Sequence, residues 1–316
     1  MDITLLKTFL EVAATGSFVS ASDRLYVTQS AVSLRIQRLE DSLGKPMFTR
    51  SKSGAELTPA GREFERYALA MIRVWEEARQ QVAIPEGFSR SISVGAQYSL
   101  WPRLGFRWID QMQTAMPDLN IRAELGMPDR LTRFLIEGIT QVCLLYTPHL
   151  RPGLTADMVL EEELVLIASW KNATSCDLKG RYVFVDWGPE FVGAHAIALP
   201  DLTNPGLTFS LGAMVAEYVI NRKSAAYLPA RYVKKYLDSG HLHLVADAPR
   251  FPYPVWAVWR NDMDAEVRDM ALAKLKLVSS HAEADGDAVL GQLALLNGDA
   301  TTDILGEKSE VDIIRL

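Results

Sequence analysis

Two helix signals lie a short turn apart between Ser17 and Gly44, and no other feature of the 316-residue chain limits its fold as tightly. Ser17 is placed to cap a helix whose inner face carries Phe18, Ala21 and Leu25. After Tyr26 and Val27, Thr28 is placed to cap a longer helix that stops at Gly44. Upstream, Leu6, Phe9, Leu10 and Ala13 recur at helical spacing and predict a first helix ending near Gly16. Two helices joined by a turn of about three or four residues is the helix-turn-helix plan. On the last of the three, Val32, Ile36, Leu39 and Leu43 cluster on one side, which is therefore the side to be buried. The opposite side presents Ser30, Leu34 and Gln37 flanked by Ser33 and Arg38, with Gln29 and Arg35 nearer the edges and Thr28 in the first turn. Short donors and acceptors beside guanidinium groups are the chemistry that reads base edges and holds phosphates. An isolated polar stripe is most simply a solvated helix face; within the complete motif, DNA is the better reading.

A formal net charge of −6 argues against such a partner only until its distribution is examined. Residues 20–52 hold six basic side chains (Arg24, Arg35, Arg38, Lys45, Arg50, Lys52) against three acidic ones (Asp23, Glu40, Asp41), a local excess of +3. Residues 279–316 hold eight acidic and two basic side chains, a net of −6. The acidity sits largely in the tail, and DNA responds to the local field. Between Met47 and Leu57, hydrophobic ends bracket a polar stretch that reads as a two-stranded wing, with Arg50 and Lys52 placed to touch the DNA backbone.

Thr58-Pro59 is a helix start, a capping hydroxyl followed by proline at the first helical position. Phe64, Ala68, Met71, Trp75, Ala78 and Val82 then recur at alternating steps of four and three, the seam of a helix that pairs with another helix. Packing within its own subunit is the alternative. Pro85-Glu86-Gly87 closes the helix. Beyond Ser91 short strands and helices alternate: strand 92–94, helix 100–116, strand 119–125, helix 129–137, strand 142–146, then strand 182–185, helix 211–220, strand 225–228, a return strand 255–259 and a helix 265–277. That order implies α/β lobes with right-handed crossovers.

Phe9, Gly16-Ser17-Phe18, Leu25, Thr28-Gln29-Ser30-Ala31-Val32-Ser33, Ile36, Leu39-Glu40, Leu43-Gly44, Phe48, Arg50 and Leu57-Thr58-Pro59-Ala60-Gly61 together closely resemble the LysR-type transcriptional regulators. One departure is Ser22, where the family usually has alanine. The resemblance implies an α+β multidomain chain. On that reading residues 1–57 form a winged helix-turn-helix, 58–87 a linker and dimerisation helix, and 88–279 a two-lobed, periplasmic-binding-protein-like effector domain; composition makes 280–316 an acidic, mobile extension in which 288–296 has the pattern of a short amphipathic helix. The 280–316 extension lies beyond where the family pattern normally ends and is read from its Gly, Asp and Glu content alone. The resemblance further implies double-stranded promoter DNA as partner, palindromic sites, a homodimer that assembles into a tetramer as a dimer of dimers, and a small-molecule effector. Departures fall in the C-terminal part: Gln141 where many members have aspartate, Arg222 and Ser224 where they have glycines, Pro128 where a serine or threonine is common. Ser99-Leu100-Trp101, residues 185–191 and residues 254–259 look like the subgroup that contains repressors of the flagellar master operon.

An effector in the interlobe cleft meets Gln97, Tyr98 and Ser99 at a helix start, where free N–H groups favour an anion, with Trp187 facing them from the second lobe. Plain packing of Tyr98 and Trp187 is the competing reading. No Gly-rich phosphate loop, serine-nucleophile elbow or metal motif occurs, so neither enzyme chemistry nor a cofactor is expected. His241 and His243 lack a third ligand, Cys143 reads as core and Cys176 as exposed. Two cysteines, no export signal and no apolar run of membrane length point to the cytoplasm and away from a solute-binding protein. A DNA-binding protein that oligomerises without sensing any ligand is the nearer rival.

Overall fold

Each helix start expected in the N-terminal region carries its cap in the computed structural model, which describes residues 2–51, 54–210 and 212–297. α1 (Ile3–Thr15) begins on the Asp2 carboxylate, which accepts from Thr4 N at 2.8 Å, and ends at Gly16 with φ 62°. α2 (Phe18–Leu25) starts at Ser17, whose hydroxyl accepts from Ser20 N at 3.3 Å. α3 (Gln29–Leu43) starts at Thr28, accepting from Ala31 N at 3.2 Å. The wing is an antiparallel pair, β1 (Phe48–Ser51) and β2 (Gly54–Leu57), with Arg50 opposite Ala55. α4 (Pro59–Val82) starts at Thr58, which accepts from Gly61 N at 3.0 Å. Each cap satisfies a donor that the helix leaves open, worth roughly 1 kcal/mol.

Leu6, Phe9, Val12, Phe18, Ala21, Val32, Ile36, Leu39, Phe48 and Ile72 are buried together, and the Phe9 ring meets those of Phe48 and Phe64 at 5.3 and 5.2 Å. Leu43, expected inward, is 36% exposed, one turn beyond the last buried residue of α3. The wing is fixed to the α1–α2 corner: Ala55 N donates to Gly16 O at 2.7 Å, and a Cβ at Gly54 would lie 2.5 Å from that same oxygen. Ser22 is tolerated because its hydroxyl bonds back to Val19 O at 2.7 Å within α2.

Further along come β3 (Arg90–Ala96), α5 (Phe106–Ala115), β4 (Leu119–Leu125), α6 (Pro128–Glu137), β5 (Val142–Leu145), β6 (Leu154–Leu160) and β7 (Glu163–Ala168). They are followed by β8 (Phe184–Val185), α7 (Pro189–Ala198), β9 (Thr208–Phe209), α8 (Val215–Ile220), β10 (Ala225–Pro229) and α9 (Ala230–Asp238). β11 (His243–Leu244), β12 (Phe251–Pro252), β13 (Val255–Arg260) and α10 (Ala265–Leu296) complete the order. One sheet runs β4-β3-β5-β13-β6; in the other, β7 is flanked by β10 and by β11 and β12. β13 returns antiparallel between β5 and β6, so the chain crosses from the first sheet to the second after β6 and back before β13.

Two compact units result. The first comprises Met1–Val94, Asp118–Arg122 and Arg130–Gln141; the second comprises Gly95–Pro117, Ala123–Asp129 and the chain from Val142 onward. Within the first, the far end of α4 is tied to the segment after α6. Gln80 Nε2 donates to Gly138 O and Ile139 O at 3.0 and 3.1 Å, and Gln141 Nε2 donates to Gln80 Oε1 at 3.2 Å. Gln141 also accepts from Ser93 N. An amide is required there, since an aspartate has no hydrogen to give Gln80.

Several expectations are corrected. The helix expected over 100–116 is broken: a π turn covers Trp101–Gly105, Pro102 supplies no N–H, and α5 begins only at Phe106. The helix expected over 211–220 is α8, preceded by a 3-10 turn at Gly212–Met214. The strands β6 and β7 and the helices α7 and α9 are not among the elements expected from the sequence. The helix expected over 265–277 continues as α10 to Leu296, so the acidic extension placed at 280–316 starts as helix, with Ala282, Val289 and Leu293 buried. Residues 298–316 lie outside the described residues.

Candidate nucleic-acid interface and effector site

The first turn of α3 sets Thr28, Gln29 and Ser30 outward, and Gln37 and Arg38 continue that exposed face. Ser33 is half-buried beside them. Arg35 is set apart from this group: it is half-buried, and its Nη1 lies 3.4 Å from Thr8 Oγ1. Its charge lies close enough to Asp2 to help hold that carboxyl below the usual range, behind the main effect of the hydrogen bonds from Thr4. Arg50 is exposed on β1 with its guanidinium carbon 4.2 Å from the centroid of the Phe18 ring, a cation–π contact that orients the side chain along the helix-turn-helix. Lys52 lies outside the described residues. Two large exposed residues stand on this side, Leu34, already set outward by the sequence pattern, and Tyr26, which that pattern left in the turn. Tyr26, at φ 53° in the turn, is 95% exposed, and Leu34 is half-exposed in mid-helix. Exposure of a large apolar side chain in an otherwise well-packed domain was the available signal.

The expected seam and the apolar face that α4 leaves open coincide only in part. Ala68 is fully buried in its own domain, and Phe64 and Met71 pack against the same core. The apolar face that α4 leaves open is instead Tyr67, Ala70, Val74, Trp75, Ala78 and Val82, with Val74 at 62% exposure. Against α1 it forms a groove of about 500 Å³ lined also by Ile3, Leu6 and Met71. Trp75, Ala78 and Val82 of the expected seam lie on it; Phe64 and Ala68 do not. The open face is turned from the seam by about half the 100° that one residue spans, because Gly61, Ala68, Ile72 and Glu76 face inward.

In the second unit, the four expected effector residues divide. Gln97 Oε1 accepts from Tyr146 N at 3.0 Å, and Tyr98 is 42% exposed. Ser99 and Trp187 are buried and joined through two tyrosines absent from the expected set. The Ser99 hydroxyl lies 3.0 Å from Tyr146 Oη, and Tyr146 stacks on Tyr253 at 4.0 Å between centroids. Tyr253 in turn meets the Trp187 ring at 5.3 Å, while Trp187 Nε1 donates to Tyr227 O at 3.0 Å. Burial holds the Tyr146 phenol above the ordinary range, so it remains a neutral donor. Beside this column, Arg231 and Glu162 form a buried ion pair at 3.0 Å. Burial pushes the Glu162 carboxyl up, against the pull of the guanidinium. Neither residue carries a local motif; both are read only once the strands are in place.

Among the described residues, no group of three or more His, Cys, Asp or Glu side chains is positioned to hold a metal ion. His241 Nδ1 lies 2.7 Å from Ser239 Oγ, Cys143 is buried and Cys176 exposed. No described helix is long and apolar enough to cross a membrane.

A capped helix-turn-helix with a wing, followed by two sheets linked by paired chain crossings, defines a DNA-binding regulator with an attached ligand-binding-type domain. Residues 3–62 match the model described as bacterial regulatory helix-turn-helix protein, lysR family, and residues 85–271 match the LysR substrate binding domain. The HTH-type transcriptional regulator HdfR of Escherichia coli (strain K12) is 31% identical over 275 residues, covering 85% of this chain and 96% of the relative. A full-length OxyR variant from Pseudomonas aeruginosa superposes with a TM-score of 0.52 at 20% identity, covering 88% of this chain and 98% of that one. Full-length LysG from Corynebacterium glutamicum, solved with bound effector Arg, gives 0.51 at 16% identity, covering 90% and 99%. Both structural likenesses are likenesses of fold. The chain belongs to the LysR family and is a DNA-binding transcription regulator with an effector-binding domain.

Proposed function

We propose that two copies of the chain pair along the open face of α4 and set two α3 surfaces and two wings on one two-fold-symmetric promoter site. Within each copy, residues 1–57 are the reading head, 58–87 the pairing element, and 88 onward the sensor. Thr28, Gln29, Ser30, Ser33 and Arg38 read bases and adjoining phosphates, while Arg50 and Lys52 hold the backbone. Arg35 braces α3 against α1. The observation that carries this reading is the outward polar face of α3 beside a ring-held Arg50. Tetramers arise as pairs of such dimers, and the protein works in the cytoplasm without catalysing a reaction.

A small molecule sensed by the second unit tunes promoter affinity, as the arginine-bound LysG relative suggests by analogy. Tyr98 and Gln97 stand at the exposed end of the column that runs through Ser99 to Trp187. Footprinting on the DNA upstream of the chain's own gene tests the first part. A protected two-fold site spanning about two turns of DNA is expected; protection without symmetry, or none at any concentration that saturates random DNA, refutes it.

A further inference from the structure

The outward stripe of α3 runs through Ser30, Leu34, Gln37 and Arg38, and Leu34 alone among them is apolar. It is 49% exposed. The apolar residues that α3 does bury, Val32, Ile36 and Leu39, lie on the far side of the helix. At the spacing of one helical turn its neighbours are Ser30, Ala31, Gln37 and Arg38, so α3 gives it no large apolar side chain to rest on. Arg35, one residue on, is turned away: its Nη1 lies 3.4 Å from Thr8 Oγ1. Leu34 is thereby left at the centre of the stripe, between polar side chains on both sides. A protein partner fits such a place poorly, because a docking face groups its apolar residues, as α4 does with Tyr67, Val74 and Trp75.

With α3 in the major groove, Leu34 is carried onto base edges between Ser30 and Arg38. Those edges present donors, acceptors and one apolar group, the C5-methyl of thymine. We propose that Leu34 is a specificity-determining residue that packs on a thymine methyl in each half of the promoter site. Against other bases it works by exclusion. Leucine neither donates nor accepts, so a cytosine N4 or guanine O6 set against it loses water and gains no partner. Leu34 thus adds an apolar filter to the hydrogen-bonding readers around it. The inference rests on the reading of α3 as the base-reading surface.

Deoxyuridine pairs as thymidine does and lacks only the methyl, which makes it the direct probe. The full-length wild-type protein is titrated by fluorescence anisotropy with its promoter duplex, each thymine of the protected site being replaced by deoxyuridine in turn. At one position in each half-site the replacement should lower affinity by about fourfold, and by about fifteenfold with both replaced. Leu34→Ala keeps a strong helix former at an exposed position and should fold as the wild type does. It should bind the thymine and deoxyuridine duplexes alike at those positions, with the response at every other position unchanged. A wild type that prefers the promoter to a scrambled duplex yet tolerates deoxyuridine everywhere overturns the inference. So does a Leu34→Ala protein that keeps the full loss at the same positions. A wild type that does not prefer the promoter at all overturns the reading of α3 itself and takes the inference with it, so the two failures are told apart.

Discussion

Replacing Arg50 by alanine should weaken binding to every DNA sequence alike and flatten its salt dependence. Arg50 projects from β1 opposite Ala55, and the Phe18 ring holds its guanidinium at 4.2 Å, which confines the charge to the junction of wing and α2. On the proposed reading a charge so placed would neutralise one backbone phosphate per copy. Each phosphate contact contributes about 0.9 to the slope of log affinity against log salt, so a paired protein loses about 1.8. Between 50 and 200 mM salt, about 0.6 log units, the advantage of wild type over Arg50→Ala should therefore shrink by about tenfold. Losing the cation–π contact costs folding about 0.5–1 kcal/mol, so binding is to be measured well below the thermal midpoint. Fluorescence anisotropy on the promoter duplex and on a scrambled duplex, across that salt range, gives both slopes. A wild-type slope in the variant, or a loss confined to the promoter duplex, refutes the assignment of Arg50 to the backbone.

Gln29→Ala should instead lower promoter affinity by about 1–3 kcal/mol while leaving random DNA nearly unaffected; equal losses on both would remove Gln29 from the base readers. Trp75→Glu places a charge on the open face of α4 and should shift the protein to monomer in sedimentation velocity, whereas an intact dimer at micromolar concentration would rule this face out as the pairing surface. Burial lowers the His195 imidazole from an ordinary value near 6.5 to about 4. The unfolded chain therefore takes up its proton first, and this part of the stability is complete above pH 6.5 and lost as pH falls towards 4. The loss amounts to about 3 kcal/mol. His195→Gln should abolish that component in denaturant titrations at several pH values, and an unchanged acid dependence would show that other groups carry it.

The N-terminal half was legible in the sequence because its signals are local. Thr28 caps α3 three residues from its donor, Thr58 and Pro59 start α4 within a single turn, and Gly16 and Gly44 end helices by taking positive φ. None of this depends on what packs above. The strands β6 and β7 were hidden for a different reason. β6 lies at a sheet edge with no clean alternation of burial, and β7 is a continuously buried run, so neither shows the period of two that marks a strand. α10 carried its signal past the point where it was read to stop. Ala271, Leu275, Val278, Ala282, Val289 and Leu293 keep one buried stripe, although Gly286, Gly291 and the nearby acids weaken the local propensity.

By itself, then, the sequence determined that this chain presents a capped recognition helix and a basic wing, since caps, turns and amphipathic period act over a few residues. Only the tertiary structure decided which face of α4 stays open, because Ala68 and Ile72 are buried in the N-terminal core and take part of the expected seam with them. It alone turned Arg35 inward, and it alone joined Glu162 to Arg231 across 69 positions of sequence. A buried charge must find its partner in space, and no spacing along the chain encodes that meeting.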